Sequence, residues 1–265
     1  MQIIGQQLVD KIEHWAPLAH KMPHDPTGMQ LGDLRRPVKH VLTTLDVRPE
    51  VVQEAINQQV DFIFAHHPLV FRPARNLDLA NPQNKMYADL LKHNITVYAA
   101  HTNIDKANPG MNDWLAQALN LRDIKSFAYD QNGVALGRLG TLTKPISVLK
   151  LAQSIKRQFA LTGLRLISNQ QQAIVEKIGI IGGDAGKFYP AALKAQVDVF
   201  ITGDVYYHTA HDMLAAGLSV IDPGHHIEAI FKQQAQAIIE HWAKANGWEL
   251  TVISSQCNTD PFTYI

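Results

Sequence analysis

Strand-like runs and helix-like segments alternate along almost the whole chain, and this alternation constrains the fold more than any single motif. HVLTTLDV (40–47) reads as a strand, and RPEVVQEAINQQ (48–59) as a helix that tolerates Pro49 in its first turn. DFIFA (61–65) is strand-like, NKMYADLLKHN (84–94) helical, ITVYAA (95–100) strand-like and NPGMNDWLAQALNL (108–121) helical. A second series follows: VALGRLGTL (134–142), ISVLKLAQSIKRQFA (146–160), VEKIGIIG (175–182), DVFITG (198–203), HTAHDMLAAG (208–217) and LSVID (218–222). A long helix over 226–247 and a strand in ELTVISS (249–255) close it. Strands separated by helices of about 10–15 residues pair in parallel through crossovers. The expected fold class is therefore α/β, with mixed, largely parallel sheets flanked by helices.

The stretch RDIKSFAYDQNG (122–133) is the best candidate boundary between two lobes. Lobe one covers about 1–125, lobe two about 126–221, and 222–265 is a segment able to return to lobe one. A chain of 265 residues with 46% apolar side chains can build such a core. The turn-rich stretch KMPHDPTGMQLGDLRRP (21–37) precedes the first strand of the alternation.

Composition removes several function classes. Lys+Arg and Asp+Glu both number 24, so the net charge is zero, which disfavours a nucleic-acid binder driven by electrostatics. Cys257 is the only cysteine, so there is no intrachain disulfide and no cysteine-rich zinc pattern. MQIIGQQLVDKIEHWAP reads as an amphipathic helix rather than a signal peptide. No apolar run approaches the roughly 18 residues of a membrane helix. A cytoplasmic protein is expected.

The histidines cluster just past strand ends, where open α/β sheets bind ligands. The run 61–65 ends in His66-His67, and 95–100 ends in His101 with Asp105 beyond it. The run 198–203 leads to Asp204 and His208, and 218–222 to Asp222, His225, His226 and Glu228. Each group alone has a bland explanation. A His-His pair can pack a strand end, AHTNID can be a polar turn, and a glutamate at a helix start is favoured by the dipole. Their convergence points to a metal site. Adjacent strand residues face opposite ways, but Pro68 can break the strand and let two imidazoles serve two metals. Imidazole with carboxylate and no thiolate suits Zn, Mn, Fe, Co or Ni. Two such ions about 3.5–4 Å apart are bridged by a carboxylate, for which Asp105 is the choice, and Glu228 completes one of them.

DPTGMQLG (25–32), FAHHPLVF (64–71), YAAHTNID (98–105), GRLG (137–140), ITGDVYYHTA (201–210) and DPGHHIEAIF (222–231) appear in one order. Through them the chain resembles the Nif-three-like family of dinuclear-metal proteins, also called GTP cyclohydrolase I type 2, over nearly its whole length. The resemblance implies a compact two-lobed form, with the metal site between the lobes at the strand C-terminal ends. It implies two divalent ions per chain on His66, His67, Asp105, His225 and Glu228, with His226 as the alternative to His225. It places His101 and His208 in the cavity, where either can shuttle protons. It also implies a ring-shaped homohexamer with a small-molecule substrate, a nucleotide by the family label; the sequence itself leads us to expect no membrane partner, and its zero net charge disfavours nucleic acid. The expected function is a metal-dependent hydrolase. The alternative is a metal-binding regulatory or metal-delivery protein that works as a ring without catalysis. IIGGDAGKFYP (180–190) fails as a P-loop, because Ile181 and Phe188 stand where Gly and Ser or Thr are required. It reads as a tight turn or a weak anion cradle.

Overall fold

The structure is a computed structural model that describes residues 1–265. Contacts divide the chain into two compact units.

The first unit holds Met1–Ala107 and Ala229–Thr259. Its five-stranded sheet runs in the order Thr251–Ser254, His40–Thr44, Phe62–Ala65, Thr96–Ala99 and Gly28–Leu31. The first four strands are parallel and the last is antiparallel. Phe62–Ala65 lies at the centre and is buried at every position, which is why it reads as an unbroken apolar run rather than an alternation. On one face, Leu42, Ile63 and Val97 pack with Val51, Val52 and Ala55 of the helix Pro49–Asn57 and with Met86 and Leu90 of the helix Pro82–Lys92. Both helices begin with proline at a position whose N–H would be unsatisfied anyway, and the Asn81 side chain caps the second by accepting from Gln83 N at 2.9 Å. On the other face, Phe64 meets Phe231 of the helix Phe231–Asn246 edge-on at 5.2 Å. Gly28–Leu31 is a strand inside the stretch that looks turn-rich in sequence. It pairs antiparallel with Thr96–Ala99 at the sheet edge, where proline and glycine neighbours are tolerated.

The second unit holds Asn108–Glu228 and Asp260–Ile265. Its six strands are ordered Arg122–Tyr129, Ala135–Ser147, Ile174–Asp184, Val199–Gly203, Ser219–Asp222 and Arg165–Ile167. Only the pairings of Val199–Gly203 with its two neighbours are parallel. Arg122–Tyr129, which looks like a break in sequence, is a strand joined to the next by a hairpin. Asp130 N and O bond Val134 O and Gly133 N at 2.9 and 3.0 Å, with Gly133 at φ +75°. The DQNG run is thus turn chemistry within a sheet. Beneath it, Arg138 is buried against Asp113, with Nε 2.6 Å from Oδ1 and a second bond of 2.9 Å to Oδ2. Beside Asp113 on the helix Met111–Ala118, Asn112 donates to Leu136 O and accepts from Gly182 N at 2.8 Å. This helix is therefore keyed to the glycine pair of the IIGGD strand.

The structure is a mixed α/β fold, with parallel and antiparallel sheets flanked by helices.

Candidate metal centre

The backbone sets the first cluster. Past the end of Phe62–Ala65 the chain bends out of the ladder and turns two successive N–H groups to the same neighbouring segment, His66 N donating to Thr44 O at 3.1 Å and His67 N to Leu45 O at 2.9 Å. The two side chains still converge, their rings 4.8 Å apart and tilted by 40°. His101, just past the neighbouring strand, completes a trio whose ring centroids lie 5.4 and 5.5 Å from those of His66 and His67. One ligand atom from each of the three lies within 4.8 Å of the others.

Every ring in the trio has its Nδ1 occupied by an oxygen. His66 is fully buried, and its Nδ1 lies 2.9 Å from Ala100 O. A carbonyl can only accept, so Nδ1 carries a proton and Nε2 is the nitrogen turned toward the other side chains of the cluster. His67 Nδ1 stands 2.7 Å from Asp46 Oδ1, and His101 Nδ1 2.9 Å from Asp25 Oδ1. Oriented by an acceptor on the far nitrogen, an imidazole is in the state of a metal ligand. His66 Nε2 lies 3.7 Å from Asp105 Oδ1 at the end of the short helix Thr102–Asp105.

Asp25 is the most heavily engaged of these carboxylates. It accepts from the Thr27 hydroxyl at 2.8 Å, from Thr102 N at 3.1 Å and from the Thr102 hydroxyl. Burial works to raise its pKa, but the bonds from His101, Thr102 and Thr27 outweigh it and hold the carboxyl well below the usual range. In the same DPTGMQLG segment, Gln30 accepts from Val70 N at 3.0 Å and donates to Pro26 O at 2.7 Å, tying down the turn that follows His67. That segment therefore steadies the trio.

The second cluster lies past Ser219–Asp222. The GHHIE run does not open an α-helix. It forms a 3₁₀ turn, His225–Ile230, ahead of the long helix. In 3₁₀ geometry residues i and i+3 eclipse, which brings His225 Nε2 to 3.2 Å from Glu228 Oε2. His225 Nδ1 stands 2.8 Å from Asp204 Oδ2. Asp204 has a left-handed backbone, φ 51°, which aspartate tolerates better than most residues. Burial works to lower the His225 pKa, but the bonds to Asp204 and Glu228 and their charges push it up to about 11. Burial, with Asp204 nearby, pushes the Asp184 carboxyl up. Carboxylates that draw one ring toward its cationic form make a field that favours a cation.

The glycines of IIGGD seat this cluster. A Cβ on Gly182 would come 2.7 Å from Glu228 Oε1, and one on Gly183 would come 2.9 Å from the same oxygen and 3.2 Å from His225 Nε2. Gly183 also sits at φ +62°. This double glycine makes room for a carboxylate and an imidazole.

His208 lies elsewhere, exposed on the helix Tyr207–Ala215 with its ring edge-on to Tyr207 at 5.4 Å. It belongs to none of the groupings of His, Asp and Glu close enough to share an ion. Asp204, noted in sequence beyond its strand, holds His225, whereas Asp46, which holds His67, escapes a reading of sequence motifs. The signal for Asp46 was position, just past the strand His40–Thr44.

Imidazoles and carboxylates at the C-terminal ends of parallel strands define an α/β protein with side-chain groups able to hold metal ions. The chain belongs to the Duf34/NIF3 (NGG1p interacting factor 3) family, whose model matches residues 3–261. It is 38% identical, over 99% of its length and all of the relative's, to a GTP cyclohydrolase 1 type 2 homolog of Streptococcus pneumoniae. It is 33% identical to a protein of the same name from Listeria innocua, covering 98% of each chain. That alignment spans 368 positions, about a hundred more than this chain has. In structure it is similar to a Bacillus cereus protein related to NIF3, with a TM-score of 0.94 at 26% identity over 100% of this chain and 99% of that one.

Proposed function

We propose that the protein is a metal-dependent hydrolase acting on a nucleotide or a related small molecule. Its dinuclear divalent centre is assigned to His66, His67, Asp105, His225 and Glu228. The observation that carries this reading is the state of the imidazoles. His66, His67 and His225 each have Nδ1 held by an oxygen, so Nε2 is the atom each would offer an ion, His225 on giving up the proton that its carboxylates favour. The donor set fits Zn, Mn, Fe, Co or Ni, having nitrogen and carboxylate oxygen without sulfur. When bound, such ions supply Lewis acidity that polarises an attacked carbon or phosphorus centre.

The other roles belong to side chains of the chain itself. His101, oriented by Asp25, takes or gives a proton at Nε2. We assign it this role ahead of the exposed His208. The burial of His66 keeps bulk water from one side of the ligand set. The name of the relatives supports GTP as a substrate to try first. The family resemblance supports a homohexameric ring, and a chain with Cys257 as its single cysteine supports a cytoplasmic location. No helix is long and apolar enough to cross a membrane.

The test is metal content by elemental analysis on protein purified without chelator, beside His66→Ala and Asp105→Ala. The expected result is near two ions per chain, lost in both variants while they stay folded, with hydrolysis of GTP or a phosphoester that depends on the metal. No bound metal, and no uptake of Zn, Mn, Fe, Co or Ni, would sink the proposal. Light scattering on the same sample tests the ring, for which a mass near six times 29.5 kDa is expected.

A further inference from the structure

A cleft of about 460 Å³ opens beside His67 and Asp46 and is also lined by Arg48, Arg72, Phe71 and Tyr87. The metal ligands do not account for its chemistry. Arg48 is the residue before the helix Pro49–Asn57, and Arg72 follows the His-His-Pro turn, so guanidinium groups reach one cleft from two segments of the first unit. Both arginines are exposed, and neither makes an ion pair or a side-chain hydrogen bond with the rest of the chain. The carboxylate lining the cleft already has hydrogen-bond partners of its own. Asp46 Oδ1 is engaged by His67 at 2.7 Å and Oδ2 by the Thr259 hydroxyl at 2.5 Å. Phe71 is 62% exposed beside them, a large apolar surface left in water.

We propose that this cleft anchors the substrate by a phosphate group. Arg48 and Arg72 clamp the phosphate, Phe71 offers its face to the organic part, and the reacting centre is presented toward His67. The proposal rests on the hydrolase reading for the last of these roles only. Two guanidinium groups match a phosphate dianion in charge. Their planar forks suit its oxygens, which compact ammonium groups match less well. The cleft falls within the range of about 300–1,000 Å³ typical of small-molecule sites, so it admits a ligand much larger than inorganic phosphate. An exposed phenyl ring next to two cations favours a planar or apolar moiety joined to an anion. The substrate class is therefore an organic phosphate.

The experiment is calorimetric titration of the protein as isolated with phenyl phosphate and with inorganic phosphate, with metal content measured on the same samples. Arg48→Gln and Arg72→Gln should each weaken phenyl phosphate binding at least tenfold with metal content unchanged. Arg75→Gln, on the same exposed loop but outside the cleft, should bind like the parent. Phe71→Ala should bring phenyl phosphate down toward inorganic phosphate and leave inorganic phosphate unaffected. Absence of saturable binding by the parent overturns the proposal, and so does parental affinity in the Arg48→Gln/Arg72→Gln double variant. His66→Ala separates the two readings. Retained phenyl phosphate binding after loss of metal supports an anchoring site distinct from the ions. Loss of binding there, with the arginine variants unaffected, assigns the phosphate to the metals and overturns the clamp. Binding through the arginines without turnover of any phosphoester or nucleotide leaves the clamp standing and removes the hydrolase.

Discussion

His67 and Asp46 stand at the ends of neighbouring parallel strands, and the imidazole Nδ1 lies 2.7 Å from the carboxylate Oδ1. The carboxylate fixes the ring's tautomer and its direction, so replacing it should act through the ring. Asp46→Ala is expected to lower metal affinity about 10–100-fold, the usual effect of removing a partner of a metal ligand. Competition with a chromophoric chelator measures it. The combined His67→Ala/Asp46→Ala variant should bind no more weakly than His67→Ala alone. Additive losses would show that Asp46 acts independently of His67.

Gly183 tests whether space or backbone conformation governs the second cluster. Gly183→Ala places a methyl 2.9 Å from Glu228 Oε1 on a backbone at φ +62°. Gly133→Ala, in the hairpin turn at φ +75°, places one in open space. Both should lose about 1–2 kcal/mol from the left-handed backbone alone. Only Gly183→Ala should also lose bound metal. Denaturant melts with metal analysis of both proteins decide it, and equal metal content in the two would count against Glu228 as a ligand.

Arg138 and Asp113 form a buried pair in the second unit, with side chains 3% and 10% exposed. Arg138→Met leaves a buried carboxylate without its guanidinium and should cost about 3–5 kcal/mol in urea unfolding. Asp113→Asn/Arg138→Met should recover part of that loss, because no uncompensated charge remains. A double variant less stable than Arg138→Met would contradict this account.

Cys257 carries a pH prediction. Burial raises its thiol pKa, and the charge of Glu54, whose Oε2 lies 3.5 Å from Sγ, raises it further. A raised pKa means less thiolate at any given pH. Alkylation by iodoacetamide should therefore rise at a higher pH in the folded protein than in the chain unfolded in urea. Glu54→Gln should move the folded profile back toward lower pH. A profile that does not move would leave burial as the whole cause.

Much of the first sheet and most of the cluster residues are legible in sequence. A central strand buried on both faces must be apolar throughout, and crossover helices announce themselves by period and by proline at their first turn. His66, His67, His101, Asp105, His225 and Glu228 stand out because strand ends are recognisable locally and histidine is rare enough to cluster visibly. The DQNG hairpin is legible too, once Asn-Gly is read as turn chemistry and not as a break.

Other features depended on the folded chain. Asp25 lies 76 positions from His101 and Asp46 lies 21 from His67, and no local pattern joins either pair. The tautomer of His66 follows from Ala100 O, a backbone atom on the adjoining strand. The double glycine of IIGGD is explained only by the side chains seated on it, and the eclipsed meeting of His225 with Glu228 only by a 3₁₀ turn where the pattern suggests an α-helix. Residue type and period are properties of a few consecutive positions, so the sequence determined which groups stand at the strand ends. Strand order comes from packing summed over the whole chain, and that order decided which oxygen faces which ring nitrogen.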